Sequence, residues 1–355
     1  QPAIKLAKEG VVLNEFQQFD LNLLKDIFKK DKLYVESFYN GEEVKQIGDL
    51  IIMEDLADFL DAYGKEGADL FYKGEVGKTI AEDHKHGGII SRNDLEQFEV
   101  HLNKPFHFKY KHSDIYANNG PSAGGPIMAI ILNKLANGKS ISEAVCETAN
   151  NKNKIPALIK ALESILPNHN YSNAPGGMMS RGTSHFNIVD RWNNAISLTT
   201  SIGEGSGYFI KGTGIHMNNM LGEVGLLPNG LHSWLPNQRL GSMMTPTVVC
   251  RDHQPRLVLG SGGATRIPYM IAQVIHHFAN GHSLMEAIDQ SRSYYDGSVL
   301  HLESVIPNDK IPDAIQTRIW NKKTLYFGGV HAISVNGDQL ESFGDPRRFG
   351  VPSFS

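Results

Sequence analysis

The chain has 355 residues, 41% of them hydrophobic, and its 34 Lys and Arg against 38 Asp and Glu leave a net charge of -4. That balance describes a globular protein able to bury a large core as one large domain or two smaller ones, and nothing in it suggests a nucleic-acid binder. Only two cysteines are present, Cys146 and Cys250, far apart in apolar stretches, which reads as free thiols and not as a disulfide framework.

The first residues, QPAIKLAKEGVVLNEF, look like the inside of a helix and not like a signal peptide, so the chain is expected to start mid-domain. No apolar run reaches the roughly 18 residues of a membrane span, so a soluble protein without a spanning segment is expected, the cytoplasm ahead of secretion as its compartment. Residues 1–115 carry helical periodicity, with SRNDLEQFE opening on Ser91 as a cap, and read as scaffold. From about residue 116, glycine-rich loops alternate with short β-branched runs and helices, the texture of an α+β fold with sheets under helices. One segment occurs twice: LANGKSISEAV at 135–145 and FANGHSLMEAI at 278–288. Gly138 and Gly281 suit the left-handed end of one helix, and Ser140 with Glu143, like Ser283 with Glu286, suits the capping box of the next. The repeat predicts a pseudo-duplicated core of two sheets, each covered by its own helix pair.

Between the copies, SHFNIV and AISLTTS have strand composition and flank the polar turn DRWNN, which predicts a β-hairpin. A turn centred on Trp192 sets Thr183 opposite Ser201 and Phe186 opposite Leu198. Parity then sorts the faces: Phe186, Ile188, Ile196, Leu198 and Ile202 are expected to pack, leaving Thr183, His185, Asn187, Ser197, Thr199 and Ser201 as one polar stripe. The preceding NAPGGMMSRG is loop-like, so Thr183 begins a strand directly after Gly182.

A threonine so placed suggests a nucleophile that cuts its own upstream bond at Gly182–Thr183 and then uses its freed α-amine as base. An α-amine titrates at about 7.7 to 8.0, near enough to neutrality for the task. The glycine-rich loop LVLGSGGATRIP at 257–268 offers backbone N–H groups for an oxyanion. Neither GEGSGYFIKGTG nor GSGGATR has the spacing of a phosphate-binding loop, and the pairs His84/His86 and His276/His277 lack a metal-ligand set. GDPRR, at Gly344–Arg348, reads as an ion-paired turn ahead of a substrate contact.

Thr183-Ser184-His185 followed by NIVD, GTGIHMNN, GSMMTPT, LVLGSGGATRI and GDPRR resembles the gamma-glutamyltranspeptidase family of N-terminal nucleophile hydrolases. The resemblance runs from residue 2 to the end and weakens between about 145 and 178. It implies a four-layer αββα sandwich, formed together by a large-subunit portion, 1–182, and a small-subunit portion, 183–355, with no cofactor and no metal. It also implies Thr183 as nucleophile, Ser201 as the hydroxyl bonded to it, Gly263 and Ala264 as oxyanion donors, and Ser242 as a contact for the substrate's α-carboxylate. The implied partners are a small-molecule amide or γ-glutamyl substrate and an amine or water acceptor, with a homodimer left open.

The substrate clamp departs from the family pattern. Met243 stands where a second serine is usual, and Gly203, Met220 and Glu223 replace the Asn, Gln or Glu, and Asp that grip the γ-glutamyl α-amine. Glu223, helped by Glu204 if the loop bends suitably, is left as the acidic partner for an ammonium. The family's arginine for the α-carboxylate falls upstream of the first residue. Two alternatives accompany this expectation: an acylase of the same mechanism acting on a non-glutamyl amide of the cephalosporin type, and a non-catalytic member with a structural role.

Overall fold

The computed structural model describes residues 1–150, 182–223, 226, 236–306, 309–313 and 315–354. The loop-like run before Gly182 lies outside them. The described residues form two compact units, residues 1–102 with 204–219 and residues 103–203 with 220–355, each drawing on both sides of Gly182.

The first unit is mostly helical, as its periodicity predicts, with helices Pro2–Glu9, Glu15–Leu23, Glu54–Glu66, Glu75–His84 and Arg92–Glu96. Ser91 caps the last of these through a reciprocal box with Asp94. Its second segment is tied in by Tyr34, whose hydroxyl donates to Asp55 at 2.6 Å and accepts from the backbone N–H groups of Gly212 and Gly214.

The second unit is built on six antiparallel strands: β1 (Phe106–Tyr110), β2 (Ser113–Ala117), β5 (Thr247–Arg251), β6 (Gln254–Gly262), β7 (Gly329–Asn336) and β8 (Gln339–Phe343). Their order across the sheet is β8-β7-β6-β5-β2-β1. Strands β3 (Thr183–Val189) and β4 (Ala195–Ser201) form a separate hairpin. Alternation along β6 sends Leu257 and Leu259 into the main apolar core and turns Val258, Gly260 and Gly262 to the opposite face.

Four helices pack into that core: α1 (Gly124–Ala136), α2 (Ile141–Asn150), α3 (Ile267–Ala279) and α4 (Leu284–Asp289). The repeated segments do the same local work. Gly138 and Gly281 take φ of 82° and 95°, and each of the two S-x-x-E boxes forms its reciprocal bonds. Their placement differs from expectation: all four helices contribute to one core, which the six-stranded sheet shares with a three-stranded sheet (Ser293–Tyr295, Val299–Leu302 and Gln316–Ile319), so the two helix pairs do not have a sheet each. Capping chemistry is local, and nothing in it specifies which sheet face a helix covers.

The hairpin corrects a second expectation. Its odd-numbered polar side chains face the sheet, Thr183 being 6% and His185 8% exposed, while the apolar Phe186, Ile188 and Ile196 look outward at 45%, 50% and 53%. The cause lies on β6. Gly260 leaves room for the His185 ring, which an added Cβ would overlap. The polar stripe bonds across the gap: Ser197 Oγ donates to Leu259 O at 3.0 Å and accepts from Thr247 N, and Asn187 Nδ2 donates to His331 O at 2.9 Å. Buried hydroxyl and amide groups with such partners cost little.

Candidate active site

Thr183 is placed by the hairpin. Asp190 accepts the N–H groups of Trp192 and Asn194 on Oδ1, closing the turn, and the resulting register pairs Thr183 with Ser201 and Phe186 with Leu198. The two hydroxyls meet at 2.9 Å. Ser201 Oγ also accepts the N–H of Gly203 at 3.0 Å, which fixes its rotamer. Behind the threonine, Gly182 donates to Gly203 O at 2.8 Å and accepts from Ile202 N at 3.2 Å. A Cβ at Gly182 would collide with Gly203 O, so only glycine fits at that junction.

Seven residues expected in the site line one small cavity: Thr183, Ser201, Met220, Glu223, Ser242, Met243 and Ala264. Its volume is about 30 Å³, room for a water or two. Ser242 Oγ accepts from Met244 N at 3.0 Å, leaving its proton to donate elsewhere. Gly263 and Ala264 form the turn into α3 with φ of 128° and 52°. Ala264 is a side-chain-bearing residue in the left-handed region, which costs about 1–2 kcal/mol and points to a turn shaped for something other than local comfort. Glu204 belongs to the first unit, where its N–H is held by Asn219 Oδ1.

His185 is no base for the threonine. Its ring nitrogens are taken by Thr199 Oγ1 at 2.8 Å and Asn187 Oδ1 at 2.9 Å, and burial pushes its pKa down to about 4. It stays neutral and structural at neutral pH. The GDPRR block is largely an ion-paired turn: Asp345 bonds Arg292 at 2.6 Å and accepts from Val330 N, and Arg347 bonds Glu303 and Asp345. The flanking arginines hold the Asp345 carboxyl below its ordinary range despite burial, which works the other way.

The sequence model described as gamma-glutamyltranspeptidase matches residues 1–164 and 139–355, which together span the chain. The chain belongs to the gamma-glutamyltranspeptidase family. Among its relatives, the glutathione hydrolase proenzyme of Bacillus subtilis (strain 168) is 26% identical over 405 residues, covering 94% of this chain and 66% of the relative. The capsule biosynthesis protein CapD proenzyme of Bacillus anthracis is 27% identical over 382 residues, covering 99% and 70%. A cephalosporin acylase from Bacillus halodurans shares the fold, with a TM-score of 0.75 at 18% identity over 99% of this chain and 72% of that one.

In this gamma-glutamyltranspeptidase-family chain, four further residues line the cavity that were not among the expected site residues: Leu226, Met244, Thr265 and Ile267. Thr265 and Ile267 had a signal, since they follow the glycine-rich turn and open α3. Thr265 is steadied by Tyr294, hydroxyl to hydroxyl at 3.0 Å. Among the described residues no helix is long and apolar enough to cross a membrane.

Proposed function

We propose that this chain carries the catalytic core of an N-terminal-threonine amide hydrolase and acyltransferase, which cuts itself before Thr183 and then acts through Thr183 Oγ1. The observation that carries it is the 2.9 Å pair of Thr183 and Ser201 hydroxyls at the start of a strand, behind a glycine that no other residue can replace. In the matured enzyme the neutral α-amine takes the Oγ1 proton as Oγ1 attacks an amide carbonyl. The N–H groups of Gly263 and Ala264, at the N-terminus of α3, receive the oxyanion. The ammonium returns its proton to the leaving amine, and water or a second amine, deprotonated by the same α-amine, resolves the ester.

Support for the acyl group's character comes from the cavity. Met220, Met243, Met244, Leu226 and Ile267 make it largely apolar, with Ser242 and Glu223 as its polar contacts beside the catalytic hydroxyls and Thr265. A γ-glutamyl group brings an ammonium and a carboxylate, and each buried polar group left without a partner costs about 1–3 kcal/mol. Glutathione and γ-glutamyl anilides are therefore expected to be poorer donors than glutaryl or aliphatic acyl anilides. Measured kcat/KM values across a chromogenic anilide panel check this, and a clear lead for the γ-glutamyl donor overturns it. The acylase alternative keeps the same cavity and mechanism.

The four-layer sandwich belongs to the same proposal. The outward face of the hairpin, with Phe186, Ile188, Ile196, Leu198 and Ile202 exposed side by side, has the apolar composition of a surface made for a further layer.

A further inference from the structure

We propose that Arg348 is a positioning residue for Thr183: it fixes the threonine's carbonyl from the open edge of the hairpin and so holds Oγ1 against Ser201 once the chain behind it has been cut. The proposal rests on the nucleophilic role of Thr183 given above. Its starting point is the direction of two carbonyls. Gly182 O accepts from Ile202 N, so it is turned toward β4. Successive carbonyls of a strand point to opposite sides, and that of Thr183 is turned away, to an edge where β3 pairs with no other strand among the described residues. Arg348 Nη1 donates to it at 3.2 Å.

The surroundings are shaped for this contact. Gly262 and Gly329 are register partners on β6 and β7. A Cβ on Gly262 would stand 2.8 Å from Arg348 Nη1 and 2.8 Å from Thr183 O, and one on Gly329 would stand 2.6 Å from Arg348 Cδ. Two facing glycines thus open the slot through which the guanidinium reaches the hairpin. The base of the side chain is rigid, because Arg348 N donates to Asp345 O and the neighbouring Arg347 is locked into the buried ion network. The terminal block therefore divides its labour: Asp345 and Arg347 hold the turn, and Arg348 reaches the nucleophile.

Before the cut, Thr183 is also held from behind by the two hydrogen bonds of Gly182. Cleavage converts Thr183 into a chain end and uncouples those bonds from it. A displacement of about 1 Å in a reacting group can cost on the order of 10²-fold in rate, so a second anchor on the same residue matters most after maturation. The guanidinium also sits one residue's backbone away from the new α-amine, and a like charge at that range disfavours the ammonium. Among the described residues, the other ionisable groups on the elements packed there are the neutral His185 on the same strand, His331 on β7, Glu223 in the cavity, Arg266 stacked on Tyr326, and Asp345, which is paired with Arg292 and Arg347. Among the described residues, Arg348 is the cation hydrogen-bonded to the residue that bears the amine.

The test compares matured wild type with Arg348→Met and Arg348→Lys, using the best anilide of the panel and, independently of turnover, the pH dependence of labelling the Thr183 α-amine with an amine-reactive reagent, read by mass spectrometry. Arg348→Met is expected to lower kcat about 10- to 100-fold with KM within about twofold, and to move the labelling midpoint and the acid limb of the rate profile upward, because loss of the cation raises the amine's pKa. Arg348→Lys is expected to restore the midpoint and much of kcat. If Arg348→Met does not fold, Arg348→Gln takes its place with the same expectations. An unshifted midpoint with wild-type kcat, or a loss confined to KM, overturns the inference while leaving the nucleophile assignment standing. Wild type that yields no fragment beginning at Thr183, with Thr183→Ala still active, overturns both.

Discussion

Thr183→Ala is expected to remain a single uncut chain without amidase activity, whereas Thr183→Ser is expected still to cut itself. Before cleavage the nitrogen of Thr183 is an amide and not basic, and the carbonyl adjoining Oγ1 is that of Gly182. Attack there forms an N-to-O acyl shift: the new bond is Oγ1 to the Gly182 carbonyl carbon, the broken one is the peptide C–N, and the nitrogen gains a proton. Water then hydrolyses the ester, releasing the Gly182 carboxylate and restoring the hydroxyl beside a free amine that titrates near neutrality. Two contacts support this course: Ser201 Oγ lies 2.9 Å from Thr183 Oγ1, and Ile202 N donates to the Gly182 carbonyl. Serine keeps the hydroxyl and loses only the methyl, so it retains the reaction. Mass spectrometry of the full chain after prolonged incubation gives the answer: a wild-type fragment beginning at Thr183 is the expected product, and an intact yet active wild type would sink the mechanism.

The hairpin explains how much of this was legible in the amino-acid sequence. Register is a counting problem once the turn is located, and Asp190 with Asn194 marks the turn, so the opposition of Thr183 and Ser201 follows from spacing alone. Which face is buried does not follow, because burial depends on the opposing surface. Here that surface presents Gly260 and the carbonyls of Leu259 and His331, a lining that accepts histidine, serine and asparagine more readily than isoleucine. The repeated capping boxes were legible for the same reason as the turn, and the core their helices share was not. Ser242 and Met243 come from a segment about sixty positions beyond Thr183 in the numbering and could be joined to it only through the family resemblance. Arg348 carried no signal that separates it from Arg347, since their different fates depend on which side chain meets the slot between Gly262 and Gly329.

Ser201→Ala is expected to slow both self-cleavage and turnover by roughly 10²- to 10⁴-fold, the range for losing a positioned hydrogen-bond or proton-transfer partner, while leaving the fold in place. The hydroxyl has two bonds in the structure, one from the N–H of Gly203 and one shared with Thr183 Oγ1. Their joint loss leaves the Thr183 hydroxyl and the Gly203 N–H without this partner and costs stability of roughly 1–3 kcal/mol for each that finds no other, while the hairpin retains its full ladder from Thr183–Ser201 to Val189–Ala195. The kinetic loss is larger because Thr183 Oγ1 then samples rotamers away from the carbonyl it must attack, and because its proton has one route fewer. Both reactions share the same attacking oxygen, so both must fall together. Unchanged rates in both would show that the 2.9 Å contact is incidental. A drop in cleavage alone would confine Ser201 to maturation, and a thermal midpoint lowered far beyond the cost of these two hydrogen bonds would mark the rate loss as a folding defect. Ser201→Thr, which restores the hydroxyl at the price of one buried methyl, is expected to recover part of both rates and distinguishes the missing oxygen from the missing volume.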